Sequence, residues 1–195
     1  MMKIIEYFST DNKEYWLSKI KESDWGAGQF LYDLLKNQKL KPYVGENTKV
    51  LLLVDGENLI SFCTFADKDD IQPTELTPWI GWVYTFPNYR GNRYIGKLLS
   101  YAEILAEEAG MKNIYISTNH NGLYEKYGYE FYEMMKDMNG EDSRVYVKHV
   151  LLSVIRYYRC NIEKMLETIN IPVIKITTEM LRKYLVEYQT IIVER

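Results

Sequence analysis

The stretch from Trp79 to Ser117 restricts this chain more than any other. An apolar, β-rich run, Trp79 to Phe86, is stopped by Pro87, which cannot donate to a sheet ladder. A basic turn follows. Within Arg93 to Ala109 the residues Ile95, Leu98, Leu99, Ala102, Leu105, Ala106 and Ala109 then recur three or four apart, and Gly110 supplies the stop. Strand alternation resumes at Asn113 to Ser117. Strand, helix and strand in this order predict a βαβ unit, in which the helix start lies beside the carboxyl end of the first strand. Ligand sites favour that edge.

The flanking segments predict an α/β (α+β) fold. Ile4 to Phe8 reads as a strand, and Asp11 is placed to cap a helix with Glu14 three residues on. Phe30, Leu31, Leu34 and Leu35 mark a second helix after Gly26 and Gly28, stopping near Lys41 and Pro42. Val50 to Val54 and Leu59 to Ala66 flank Asp55-Gly56 as a hairpin, and an acidic loop runs from Asp67 to Pro78. A short helix at Leu123 to Tyr127 ends at Gly128, and Glu130 to Lys136 and Arg144 to Val150 read as two more strands. Residues 151–195 read as a C-terminal helical extension to a domain of residues 1–150. There Leu151, Ile155, Tyr158, Ile162, Met165 and Ile169 fall four and three apart, a seam for the domain's own sheet or for a homodimer.

Composition narrows the function. The 195 residues are 47% hydrophobic and 26% charged, enough apolar material for a buried core. A net charge of −3, from 24 basic and 27 acidic residues, supplies no global field for nucleic acid. No apolar stretch approaches the ~20 residues that span a bilayer. Glu6 interrupts the start before a secretory core could form, so a cytoplasmic location is expected. Cys63, Cys160, His120 and His149 lack the paired spacings of a zinc site, so no metal is expected.

Chemistry concentrates in Arg90-Gly91-Asn92-Arg93-Tyr94-Ile95-Gly96-Lys97, between a strand end and a helix start. Unpaired N–H groups there carry about half a positive charge and hold phosphate oxygens. Arg93 and Lys97, one turn apart, would share a face, and with Arg90 they suit a pyrophosphate; the bland alternative is a solvated basic face. Gly91 to Lys97 also begins a P-loop pattern, but Leu98 stands where the Mg²⁺-binding hydroxyl belongs.

The segment Tyr84-Thr85-Phe86-Pro87-Asn88-Tyr89-Arg90-Gly91, with Asn119-His120-Asn121-Gly122-Leu123-Tyr124-Glu125-Lys126-Tyr127-Gly128-Tyr129 downstream, resembles the GNAT superfamily of acetyl-CoA-dependent N-acetyltransferases. The resemblance covers about residues 1–150 and implies a mixed, mostly antiparallel central sheet whose βαβ unit binds acetyl-CoA. It implies cofactor contacts from Tyr84, Thr85, Arg90, Gly91, Asn92, Arg93, Ile95, Gly96 and Asn119, and a proton from Tyr124 for the departing thiolate. Arg93 and Ile95 depart from the family's small residues; the Cβ of Arg93 fits if its backbone is already helical rather than left-handed.

Each site residue has a plainer alternative: Tyr124 as a packing ring, Asn119 as a turn former. The acceptor is expected to be a primary amine of a small molecule or peptide, met by Trp25, Phe30 and Trp79, which could equally be core. The strand Trp79 to Phe86 holds no carboxylate, leaving Glu75, Asp70 or a water relay as proton acceptor. Asp67, Asp69 and Asp70 read as a solvated turn or as a hint of a cationic acceptor. Competing functions are an acyl-CoA sensor without turnover and an interaction protein assembled through residues 151–195.

Overall fold

The computed structural model describes residues 1–150, and the expected extension with its apolar seam lies outside them. In chain order the elements are β1 (Met2–Glu6), α1 (Lys13–Lys21), α2 (Gly26–Lys36), α3 (Leu40–Val44), β2 (Lys49–Asp55), β3 (Asn58–Ala66), β4 (Trp79–Thr85), α4 (Ile95–Glu108), β5 (Asn113–Thr118), β6 (Glu130–Lys136) and β7 (Asp142–His149). Short 3₁₀ turns occupy Tyr7–Ser9, Pro87–Tyr89 and Tyr124–Tyr127. One seven-stranded sheet runs β1-β2-β3-β4-β5-β7-β6. Every neighbouring pair is antiparallel except β4 and β5, which the α4 crossover makes parallel.

The centre of the sheet is buried on both faces, which explains why β2 reads as an unbroken apolar run rather than an alternating one. Val50, Leu52 and Val54 join Trp16, Ile20, Leu31 and Leu34 in a cluster beneath α1 and α2. Alternation turns Leu51 and Leu53 to the opposite face, the side for the buried α4 stripe of Leu98, Leu99, Ala102 and Ala106. Each such side chain contributes roughly 1.5–3 kcal/mol on burial.

Several boundaries differ from expectation for identifiable reasons. The first strand ends at Glu6, whose carboxylate accepts from the Phe8 N–H and turns the chain into a 3₁₀ segment. Asn12, not Asp11, precedes α1, and it makes no side-chain cap. The second helical pattern divides into α2 and α3, because Gln38 takes a left-handed φ of 55° between them. The crossover helix begins at Ile95, the first apolar residue of its pattern and two residues into the span from Arg93, which is left-handed.

Candidate active site

A split in the sheet creates the site. β4 and β5 share one register, Trp79 with Tyr115, where the Tyr115 N–H donates to Pro78 O at 2.9 Å. Beyond it no ladder joins the two strands, so their facing edges open into a cleft. On its other side β4 is bulged: Phe62 pairs with Tyr84 and Thr64 with Gly81, leaving Trp82 and Val83 opposite Cys63. Trp82 takes φ 47°, rare for a bulky residue, and its indole N–H donates to Ala27 O at 2.9 Å. The irregularity, at Trp82 and Val83, directly precedes Tyr84 and Thr85, the cofactor contacts that the resemblance implies. The Phe86 N–H bonds Ile60 O, and strict alternation then turns the Tyr84 N–H toward β3 and the Thr85 and Val83 N–H groups toward the cleft.

A cavity of about 790 Å³ runs from this cleft to the start of α4 and is lined by Tyr84, Thr85, Arg90, Gly91, Arg93 and Ile95, among others. Gly91 has φ 83°, and a Cβ there would meet nothing within 4 Å, so the turn presents bare backbone to open space. Helix hydrogen bonding starts with Gly96 N–H to Arg93 O and Lys97 N–H to Tyr94 O, leaving the preceding amides available to an anion. These groups fit a diphosphate.

Arg93 is left-handed at φ 57°, so the condition under which its Cβ fits without strain, a helical backbone, is not met. The turn requires this conformation whichever residue occupies it, and here a cation replaces the family's glycine at a strain cost of roughly 1–2 kcal/mol. Arg93→Gly is therefore expected to leave stability unchanged or raise it by up to ~1 kcal/mol, glycine's greater unfolded-state entropy offsetting part of the relief. Calorimetry at low and high salt should show weaker, less salt-dependent acetyl-CoA binding.

Other predicted contacts are distributed differently. Asn92 turns its amide back onto Tyr89 O and Arg90 O at 3.2 Å and so builds the loop. Gly96 is a packing glycine, since a Cβ there would come within 2.8 Å of the Tyr127 ring. Lys97 does not line the 790 Å³ cavity with Arg90; it lines a separate groove with Lys3, Ser100 and Tyr101, and Arg93 borders both. Arg90 is braced by Thr85 O at 3.0 Å and by Asp24 at 3.5 Å, beneath which Tyr84 donates to Asp24 at 2.6 Å.

A second cavity, of about 550 Å³, opens on the other side of the bulge. Trp25 and Phe30 line it, together with Tyr43, Trp82, Asp69 and Asp70. Asn119, expected beside the cofactor, lines this cavity instead, because β5 has already diverged from β4 there. Trp79 is not an acceptor contact. It is fully buried against Tyr115, with its indole N–H donating to Leu76 O at 2.6 Å. Glu75 is exposed and lines neither cavity.

Trp25, Val83, His120 and Tyr124 belong to both cavities. Tyr124 is 4% exposed, with its ring edge-on to Tyr129, and its hydroxyl makes no hydrogen bond among the described residues. Burial raises its pKa above the ordinary phenol value, with the Cys63 and Asp69 charges adding to the effect. A free phenol titrates near ~10 and a free thiol near ~8.5, but burial moves the Tyr124 phenol away from that near match.

Sequence reasoning left Asp69 between a solvated turn and a hint of a cationic acceptor and did not offer it as a proton acceptor; in the structure it lines the second cavity. Its carboxylate instead lies folded against Gly81, where a Cβ would meet Oδ1 at 2.8 Å and Oδ2 at 2.9 Å. Burial, then the neighbouring Asp70 carboxylate, push its pKa up to about 8, while the Asp70 backbone amide pulls slightly the other way. Asp70 is raised too, chiefly by burial, and one of its oxygens is buried without a partner. No spacing rule would have found Asp69; the remaining signal was a glycine at position 81 of an otherwise bulky strand.

The model of the Acetyltransferase (GNAT) family matches residues 7–129, well over half of the chain. The chain belongs to the GNAT acetyltransferase family. This GNAT protein is accordingly an acyltransferase enzyme that uses acetyl-CoA. Solved structures share the fold. An acetyltransferase from Streptococcus agalactiae is 21% identical with a TM-score of 0.52, covering 76% of this chain and 98% of its own. A GNAT family acetyltransferase from Elizabethkingia anophelis with acetyl-CoA bound is 14% identical (TM-score 0.52; 76% and 97% covered). An aminoglycoside 6'-N-acetyltransferase complexed with coenzyme A is 14% identical (TM-score 0.54; 76% and 97% covered). No match was found among curated protein sequences. No helix among the described residues is long and apolar enough to cross a membrane.

Proposed function

We propose that this enzyme moves the acetyl group of acetyl-CoA directly to a primary amine that occupies the 550 Å³ cavity, with Tyr124 supplying the proton for the departing sulfur. The observation that carries this reading is Tyr124's place on the shared wall of both cavities. Bound acetyl-CoA supplies an acyl thioester. The Gly91 turn, Arg90 and Arg93 hold its diphosphate, and the cleft-facing amides of Val83 and Thr85 are placed to orient and polarise a carbonyl. The Tyr124 hydroxyl holds the proton destined for sulfur, and although burial makes it a weaker acid, the same desolvation makes a thiolate a stronger base.

Acceptor chemistry follows from the second cavity. An alkylamine of pKa ~10.4 costs about 4.6 kcal/mol to neutralise at pH 7, so the site must take up a proton. Trp25, Phe30, Tyr43 and Trp82 offer aromatic faces, and Asp69 and Asp70 offer carboxylates, a lining that suits a cationic small molecule or peptide end.

The test is release of free thiol from acetyl-CoA with 1,4-diaminobutane, an aminoglycoside and a peptide bearing a free amino terminus. At least one should raise release well above the acceptor-free rate. If acetyl-CoA raises the melting temperature but no amine accelerates thiol release, the transfer reading is replaced by that of an acyl-CoA sensor.

A further inference from the structure

We propose that Asp69, from the loop between β3 and β4, is the general base that takes the proton from the acceptor amine in the 550 Å³ cavity. This rests on the amine-transfer reading above. The strand that flanks the reacting centre carries no carboxylate of its own between Trp79 and Thr85. The structure supplies one from outside it. Gly81 has no side chain, and the space a Cβ would fill is taken by the Asp69 carboxylate, Oδ1 at 2.8 Å and Oδ2 at 2.9 Å from that position. Gly81 adjoins the bulged pair Trp82 and Val83, so the carboxylate lies beside the point where the cleft amides turn outward. Tyr124 lines the same cavity, and its hydroxyl feels the Asp69 charge. An amine between these groups meets a base and an acid at once.

The surroundings keep Asp69 basic. Facing it are Asp70 on its own loop, Tyr124, and, on the cavity wall, Tyr43 and His120; Asp137, on the turn that joins β6 to β7, acts on Asp70 behind it. No lysine or arginine lines the cavity and none pairs with Asp69 among the described residues. The loop is tied down on both sides, by Lys68 N–H to Val44 O at 2.9 Å and Met138 N–H to Asp70 O at 2.9 Å. An ordinary carboxylate takes a proton from an alkylammonium with an equilibrium constant of roughly 10⁻⁶ to 10⁻⁷; a carboxyl titrating at about 8 does so at roughly 10⁻² to 10⁻³.

The protons balance. The acceptor arrives as an ammonium and loses one proton to Asp69, which passes it to solvent through the open cavity. As the N–C bond forms and the C–S bond breaks, the nitrogen loses a second proton and sulfur gains one from Tyr124, whose hydroxyl is restored by the proton from nitrogen. The products are an amide, a free thiol and one proton in solution.

Asp69→Asn keeps the shape and removes the base. With whichever of the three amines supports turnover, kcat/KM for the amine should fall about 10²–10³-fold, and acetyl-CoA affinity should hold within twofold. The wild-type acid limb near pH 8 should vanish, the residual rate following the amine's own ionisation to higher pH. Imidazole should restore activity to Asp69→Ala by tenfold or more. In ¹³C-aspartate NMR the folded wild type should show a carboxyl titrating near pH 8. Stability should respond in a fixed direction. The folded chain keeps the Asp69 proton to about pH 8 while an unfolded chain loses it near 3.8, so the unfolded state holds fewer protons in that window and wild-type stability falls as pH rises. Asp69→Asn should therefore gain melting temperature over wild type between pH 5 and 8. A wild type that turns over while Asp69→Asn keeps its rate and acid limb overturns the assignment alone. An absence of any aspartate titrating above pH 6 does the same. A wild type that releases thiol with no amine overturns the transfer reading and the base with it.

Discussion

Tyr124→Phe is expected to lower turnover about 10²–10⁴-fold while leaving acetyl-CoA affinity nearly unchanged. The substitution removes one oxygen from a ring that stays packed against Tyr129 and Tyr146, and that oxygen makes no hydrogen bond among the described residues. Folding therefore has little reason to respond, and the effect should fall on kcat. Burst kinetics with a thioester whose leaving thiol has a lower pKa provide the check, because a better leaving group needs less help from an acid. The variant's deficit should shrink with such a thioester. Turnover equal to wild type would return Tyr124 to the role of a packing ring.

Gly45→Ala should destabilise the fold by about 3 kcal/mol, lowering the melting temperature by ~6–12 °C. Gly45 has φ 112° and ψ 150°, a region essentially closed to residues with a Cβ. The added methyl would also collide with the Asp67 side chain, which accepts hydrogen bonds from the Asn47 backbone and side-chain amides at 3.2 Å. Two residues beyond Asp67 lies Asp69, so the displacement should reach the acceptor cavity. We expect the amine-dependent rate to fall further than the affinity for acetyl-CoA, for which the proposed function uses the cavity on the other side of the bulge. Thermal melts paired with acetyl-CoA calorimetry measure both effects, and a loss below ~1 kcal/mol would show that the loop yields freely.

Much of this architecture was readable from apolar spacing. The period of Ile95 to Ala106 and the flanking runs at Trp79 and Asn113 required a crossover, and a crossover requires a parallel pair. The anion turn followed from the same pattern, since a helix start beside a strand end leaves amides unpaired whatever the fold. Aromatic residues were less informative. Phe30 and Trp79 look alike in sequence, yet Phe30 is 44% exposed on a cavity wall and Trp79 is fully buried. Hydrophobicity measures the benefit of leaving water, and a packed core and a substrate cavity both supply that benefit.

Residue type at Arg90, Gly91 and Tyr124 was set by the order of amino acids alone, because which groups can donate a proton or carry charge is a property of the side chain, although burial then shifts the Tyr124 hydroxyl. The left-handed Arg93, the bulge at Trp82 and the Asp69 carboxylate in the Gly81 gap came only from the folded chain. They depend on contacts between segments distant in sequence. Electrostatic environment is likewise a property of what surrounds a group, so a carboxylate that reads as solvated becomes a base only once the sheet, the α2–α3 region and the β6–β7 turn enclose it.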